Sequence, residues 1–430
     1  MNPPRQWHRI LSIDALDDEI QVQVGYYSKD HLAKIQRSLP IRQAELPADG
    51  EVIRVPKVEF LACWLFEDRD PDDPLSASFD ALAASAADAL PDLKRHFEHC
   101  DGDLRALSKK PGTERPGDIS TRLGVAVGLA VANRVLGVNR ADWQKLPKTT
   151  KDGKEEKRMD YALAGTIDGY VALENKGSVV YDNRRKTSTV SQHCKSIADK
   201  KSEVRKKQPN QPLLGAIAVA DSREDSTLKC WLLDPPQKLP TDLDPVVFRI
   251  IARLTYYGGL LRCVFPRWKG LFAELKSRIR LLSKADDWSR LNGLDLRYPS
   301  KTPIHANWNA GRKVHARSPT NGLWAGVIKP CGPDYLLFIG VSQKWVELIL
   351  NQNLHELLKV TTESISEKLT LQWEATDRSL RHLDLRLAKT MARVDYREGD
   401  STHSVQLPTV VHQTSSGFAF ALVPLSSKHV

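Results

Sequence analysis

The chain has 430 residues, enough for two or three domains with their own cores, and its 41% hydrophobic and 27% charged residues exclude wholesale disorder. The net charge of +10 is uneven: residues 1–105 carry about −8 and the remainder about +18, a contrast that suggests a nucleic-acid face. Six scattered cysteines without a CxxC pair read as reduced thiols of a cytoplasmic protein, no signal-peptide pattern opens the chain, and no apolar run is expected to cross a membrane.

In chain order, Ile20 to Val24 alternates as a strand, Lys29 to Ser38 is helix-like, and Val52 to Val58 reads as another strand. Phe66 to Pro74 is an acidic, Pro-broken loop. Residues 77–107, rich in Ala and Leu, predict a helix; His96, His99 and Cys100 on it have spacings a metal could use, but no second ligand pair accompanies them. Asp118 caps a helix from Ile119 to Leu136 that is apolar nearly all round, with small residues at Gly124 and Gly128. Such a helix packs against a sheet, and it reads as too short and too flanked by charge to span a membrane.

Residues 138–157 form a polar connection into RMDYALAGTIDGYVALENKG, residues 158–177, which reads as a β-hairpin with a turn around Ile167. Asp168 is taken as a turn former. Counting outward from Ile167 sets Asp160 opposite Glu174, and strand alternation puts Lys176 on the same face. Tyr161, Leu163, Val171 and Leu173 take the other face. Two carboxylates close together repel each other unless a cation sits between them, and a hard ion such as Mg²⁺ (or Mn²⁺) suits that partial oxygen cage. A lysine beside it can orient or help deprotonate the nucleophilic water and hold a phosphate oxygen. Asp160, Glu174 and Lys176 therefore suit phosphodiester hydrolysis.

Beyond the hairpin, Lys176 to Asn210 carries a net charge of about +7, much of it on a helix over Ser188 to Lys207. Strands are expected at Leu213 to Ala220 and Leu228 to Leu233, and helices from Asp244 to Leu261 and along the Leu271, Leu275, Ile279, Leu282 stripe. From about residue 300, short strands (Leu323 to Ile328, Tyr335 to Val341, Leu369 to Trp373, Phe418 to Val423) alternate with helices (Lys344 to Val360, Asp377 to Arg393). His305 to Arg317 is a basic stretch with one aromatic residue. The expected class is α/β, an α+β mixed sheet, in three parts: an acidic N-terminal α+β region at 1–105, the core with a helical extension at 106–300, and a C-terminal α+β domain at 301–430.

Met159-Asp160, the hairpin and Glu174-Asn175-Lys176 together resemble the PD-(D/E)xK superfamily, the restriction-endonuclease-like fold. The order helix, hairpin, helix, strand is similar to that fold's αβββαβ core. Met159 stands where the family motif has proline, and Asp118 is the one carboxylate at the first helix. The resemblance implies Asp160, Glu174 and the Asn175 main-chain carbonyl as metal ligands, Lys176 as catalytic, and an orienting role for Gln192 on the following helix. It implies a Mg²⁺- or Mn²⁺-dependent DNA endonuclease of restriction, phage defence or mobile-element processing. A homodimer would let two sites address two strands. No GxxxxGK[ST] loop occurs, so any ATP-driven step would need a separate ATPase subunit. The alternative is an inactive nucleic-acid- or partner-binding protein that retains the fold.

Overall fold

The computed structural model describes residues 5–27, 51–67, 77–109, 112, 116–144, 159–166, 169–181, 190–207, 213–222, 228–233, 245–284, 287–294, 296, 314–318, 322–376, 392–395 and 402–425. The expected helix at 29–38, the acidic loop beyond Glu67, the turn residues Ile167 and Asp168, the basic stretch through residue 313 and the expected helix over 377–391 lie outside these residues.

The chain divides into two compact units, residues 1–73 with 88–252 and residues 74–87 with 253–430, a division different from the expected three parts. The acidic N-terminal region does not stand apart. Its strands, β2 (Glu19–Tyr27) and β3 (Glu51–Pro56), join the same sheet as the hairpin. The reason is a non-local pairing: β2 lies parallel to the distant strand β10 (Leu228–Leu233), with Val22 beside Leu228 and Tyr27 beside Leu233. Buried Ile20, Val22 and Val24 alternate with half-buried Gln21 and Gln23, which gives β2 one apolar face to turn to the core.

The run expected as a strand through Val58 switches at Lys57 into helix α1 (Lys57–Phe66), in which Trp64 is buried and donates to the Ala89 carbonyl at 2.9 Å. The run expected as helix over 77–107 is helix α2 (Phe79–His96) followed by the hairpin β4 (Phe97–Cys100) and β5 (Asp103–Ala106). Asp101-Gly102 makes that hairpin: both residues have positive φ, 48° and 82°, which matches the twist of the flanking strands. Strand β1 (His8–Arg9) completes this small sheet against β4.

Helix α3 (Pro116–Leu136) lies on the main sheet. The stretch Asp118–Leu136 is, contrary to expectation, long and apolar enough to cross a membrane by length and composition, but most of it is buried within the fold. Three strands follow in antiparallel succession, β6 (Trp143–Gln144), β7 (Tyr161–Thr166) and β8 (Gly169–Val180). Helix α4 (Val190–Lys207) then crosses over to β9 (Leu213–Asp221), which runs parallel to β8 and antiparallel to β10. The seven-stranded sheet has the order β3-β2-β10-β9-β8-β7-β6. The two faces of β8 alternate. Asn175 and Gly177 meet α3 at Gly128 and Gly124, while Ser178, Glu174 and Ala172 meet α4 at His193, Lys200 and the Val204 region.

Helix α5 (Pro245–Val264) carries the chain from the first unit into the second. The second unit continues with α6 (Lys269–Leu282), then β11 (Val314–Ser318), β12 (Gly322–Cys331), β13 (Tyr335–Ser342), α7 (Gln343–Leu350), α8 (Leu354–Lys359), β14 (Ile365–Thr376), β15 (Arg393–Asp395), β16 (Thr402–Gln413) and β17 (Phe418–Pro424). Antiparallel pairing of β11-β12-β13-β17-β16 is closed by β14, which pairs with both β16 and β11, so six strands form a closed barrel with β15 added outside on β16. Val314, Trp324, Phe338, Leu371, Trp373, Val405 and Leu407 are part of its core. The helix expected over Lys344 to Val360 is two helices, broken at Gln352, whose φ is +48°. All six cysteines are free and buried.

Candidate active site

The hairpin brings Asp160, Glu174 and Lys176 together. Near the turn, Thr166 pairs with Gly169 and Ala164 with Val171, a register that on its own would leave Asp160 out of step with Glu174. A bulge between Tyr161 and Ala164 shifts the register by one residue, so that Tyr161 pairs with Leu173. Asp160 then comes level with Glu174, and its Oδ2 accepts a hydrogen bond from the Asn175 main-chain N–H at 2.8 Å. On the other face, Tyr161 donates to Glu67 Oε2 at 3.0 Å and stacks edge-on against Trp143, which fixes the strand from behind.

Glu174 is fully buried, yet two ammonium groups reach it. Lys176 Nζ lies 2.8 Å from Oε1 and Lys200 Nζ 2.5 Å from Oε2. Lys200 also lies 3.4 Å from Asp160 Oδ1, so it bridges the two carboxylates. Lys200, on α4, was not anticipated. The readable signal is the α4 stripe Ile197, Lys200, Lys201, Val204: a lysine set among residues that face the sheet needs a buried partner. Lys201, its neighbour, is buried and donates to the Leu233 carbonyl at 3.0 Å, tying α4 to the end of β10.

The charges are unequal in their comfort. Burial raises the Glu174 pKa, the neighbouring Asp160 charge raises it further, and Lys200 and Lys176 only partly counter this. Burial of Lys176 works against its charge, but the Glu174 carboxylate, its hydrogen bond and Asp160 outweigh that and hold its pKa above the ordinary lysine value. The buried carboxylate is thus the strained member of the group, and the half-buried lysine is firmly protonated at neutral pH.

Gln192 is exposed on the first turn of α4. The next residue, His193, turns toward β8 instead, with Nε2 at 2.7 Å from Ser178 Oγ. Burial, followed by the nearby Lys176 charge, pushes its pKa down to about 4. In the unfolded chain this histidine takes up a proton below its ordinary value of 6.5, whereas the folded protein resists until about 4. As pH falls from 6.5 toward 4, the unfolded state therefore gains protons that the folded state does not, and stability drops by roughly 3 kcal/mol. Thermal unfolding in EDTA across this range should fall less steeply for His193→Gln than for the wild type; equal slopes would show that His193 titrates normally.

Asn175 is buried against Gly128 of α3, and among the described residues neither amide atom of its side chain has a hydrogen-bond partner. Its main chain is what serves the site, through the N–H held by Asp160. Asp118 sits exposed in the first turn of α3, and the rest of that helix has no carboxylate. The spacing of His96, His99 and Cys100 does not translate into a shared site: His96 Nδ1 contacts the Tyr181 hydroxyl, His99 faces Asp17, and the Cys100 thiol donates to Asp101. Among the described residues, no group of three or more His, Cys, Asp or Glu side chains is placed to hold a metal ion.

Comparison with protein-family models, with curated proteins and with solved structures finds no match to this chain.

Proposed function

We propose that the first unit carries a divalent-metal-dependent nuclease site, on a PD-(D/E)xK-like core, that hydrolyses DNA phosphodiester bonds. The observation that carries this is the convergence of Asp160, just before β7, with Glu174 and Lys176 of β8 on one side of the hairpin, both carboxylates sharing one positive group. The order α3, β6, β7, β8, α4, β9, with β9 parallel to β8, supports the reading as the αβββαβ arrangement.

The donor set fits a hard ion. The two carboxylates, one just before β7 and one on β8, already accept a single cation between them, and the Lys200 ammonium stands in for it. Asp160, Glu174 and the Asn175 carbonyl would hold Mg²⁺ or Mn²⁺. Bound there, the ion would lower the pKa of a water and offset charge on phosphate oxygens. The chain's own residues do the rest. Asn175 N–H fixes the Asp160 carboxylate, and the bulge keeps it level with Glu174. Lys176, charged at neutral pH and 30% exposed, donates to a phosphate oxygen; it is not a general base while Glu174 pairs with it. His193, its pKa pushed down by burial, adds no further positive charge beside Lys176 near neutral pH. Exposed Lys195 and Lys206 on α4 extend a basic surface suited to a polyanion.

A second reading, a nucleic-acid-binding protein without cleavage, is favoured by one observation. Two lysines already neutralise the two carboxylates, and α3 adds no buried third one. Supercoiled DNA, linear DNA and RNA incubated with the full chain in Mg²⁺, Mn²⁺ or EDTA separate the two. Metal-dependent nicking or linearisation of DNA is expected. Salt-sensitive binding without cleavage would establish the second reading in its place.

A further inference from the structure

Lys200 does more than complete an ion network. We propose that its ammonium is the site's resident cation, holding the place between Asp160 and Glu174 until a divalent ion displaces it. The inference rests on the metal-dependent reading above and concerns how that site loads.

Lys200 touches one oxygen of each carboxylate, Glu174 Oε2 at 2.5 Å and Asp160 Oδ1 at 3.4 Å, while Lys176 takes the remaining Glu174 oxygen at 2.8 Å. A cation serving both carboxylates must lie where this ammonium lies, and an ammonium and a divalent ion a few ångströms apart repel each other. The lysine is free to leave. Its side chain is 24% exposed at the end of a flexible four-carbon stem. The helix that bears it is not. Lys201 is anchored to the Leu233 carbonyl, and Ile197 and Cys194 are buried in the cluster with Ile217 and Trp231. Exchange thus needs one side chain to swing out, with no movement of α4. The consequence is a loading threshold: the site fills only when the ion outcompetes an internal positive charge, and without metal the buried Glu174 keeps a counter-ion.

A purely structural clasp makes the opposite prediction, because its loss would loosen the carboxylates and weaken any ion they hold. Calorimetric titration of the full chain with Mn²⁺ tests this, using the wild type, Lys200→Met and Glu174→Gln. Lys200→Met is expected to bind Mn²⁺ about tenfold more tightly than the wild type, to unfold at a lower temperature in EDTA, and to gain more from Mn²⁺. Glu174→Gln is expected to show no binding. Equal or weaker Mn²⁺ binding by folded Lys200→Met would overturn the inference and leave the metal site standing. Absence of Mn²⁺ binding by the wild type and Lys200→Met alike would overturn both. Should Lys200→Met fail to fold, reductive methylation of the wild type, followed at Lys200 by peptide mass spectrometry, gives the same decision. Several-fold faster labelling of Lys200 in Mg²⁺ supports displacement, and an unchanged rate under saturating Mg²⁺ contradicts it.

Discussion

Glu174→Gln should unfold in EDTA at a temperature no lower than the wild type and lose metal-dependent DNA cleavage by at least about 100-fold. Two effects oppose each other in the stability term. Removing the carboxylate takes partners from Lys176 and Lys200, which in a buried pair costs about 3 kcal/mol or more. Here, however, the buried member is the carboxylate, while the lysines are 30% and 24% exposed and can be solvated when released. The raised Glu174 pKa says which effect wins: burial and the Asp160 charge together outweigh both lysines, so the fold bears a cost for keeping this group charged. Glutamine keeps the shape without that cost. A group that costs stability yet is held in place is what a metal ligand requires and what a structural salt bridge does not. Melting curves and cleavage rates on one preparation check the pair of outcomes. A variant destabilised by several kcal/mol would place Glu174 in a structural role.

The second large effect is mechanical. At Gly177, one residue past Lys176, a Cβ would lie 1.9 Å from the Ser120 carbonyl oxygen and 2.5 Å from the Gly124 nitrogen. Both are main-chain atoms of α3, so no side-chain rotation relieves the clash and the helix must back away from β8. Gly177→Ala should cost about 3 kcal/mol, roughly 6–12 °C in melting temperature for a unit of this size. It should also reduce cleavage, because Asn175 and Lys176 sit on the displaced stretch. Gly137→Ala is the control: its φ is +63° but none of the described residues would lie within 4 Å of the new Cβ, so the expected cost is about 1 kcal/mol from backbone strain alone. Equal melting temperatures for the two variants would show that α3 does not press on the strand as described.

The local part of the site was legible because a hairpin is a local object. Counting from Ile167 set Asp160 against Glu174, but the opposition exists for a reason the count did not contain. The pairs next to the turn follow a different register, and the bulge between Tyr161 and Ala164 restores the match. Lys200 was missed because it arrives through the crossover helix, where a basic residue is easily taken for part of a solvated face. Gln192 was singled out from the resemblance, whereas the inward turn of α4 is taken by His193. The small hairpin at 97–106 was hidden within an Ala- and Leu-rich run, although Asp101-Gly102 was there to mark it. Strand β16 runs unbroken through Pro408, which pairs with Thr370, and His403, Val405 and Leu407 alternate inward ahead of it. Barrel closure through β14 and β16 and the pairing of β2 with β10 join segments far apart in sequence, where periodicity carries no information about partners.

Whether Asp160, Glu174 and Lys176 form a metal-dependent nuclease site is decided by single-turnover cleavage of end-labelled duplex DNA by the wild type and Lys176→Ala. The expected result is cleavage by the wild type in Mg²⁺ or Mn²⁺ and none in EDTA, with Lys176→Ala slower by about 100-fold in the same metal. Metal-dependent cleavage at the wild-type rate by Lys176→Ala, or no cleavage by the wild type in either metal, would contradict it.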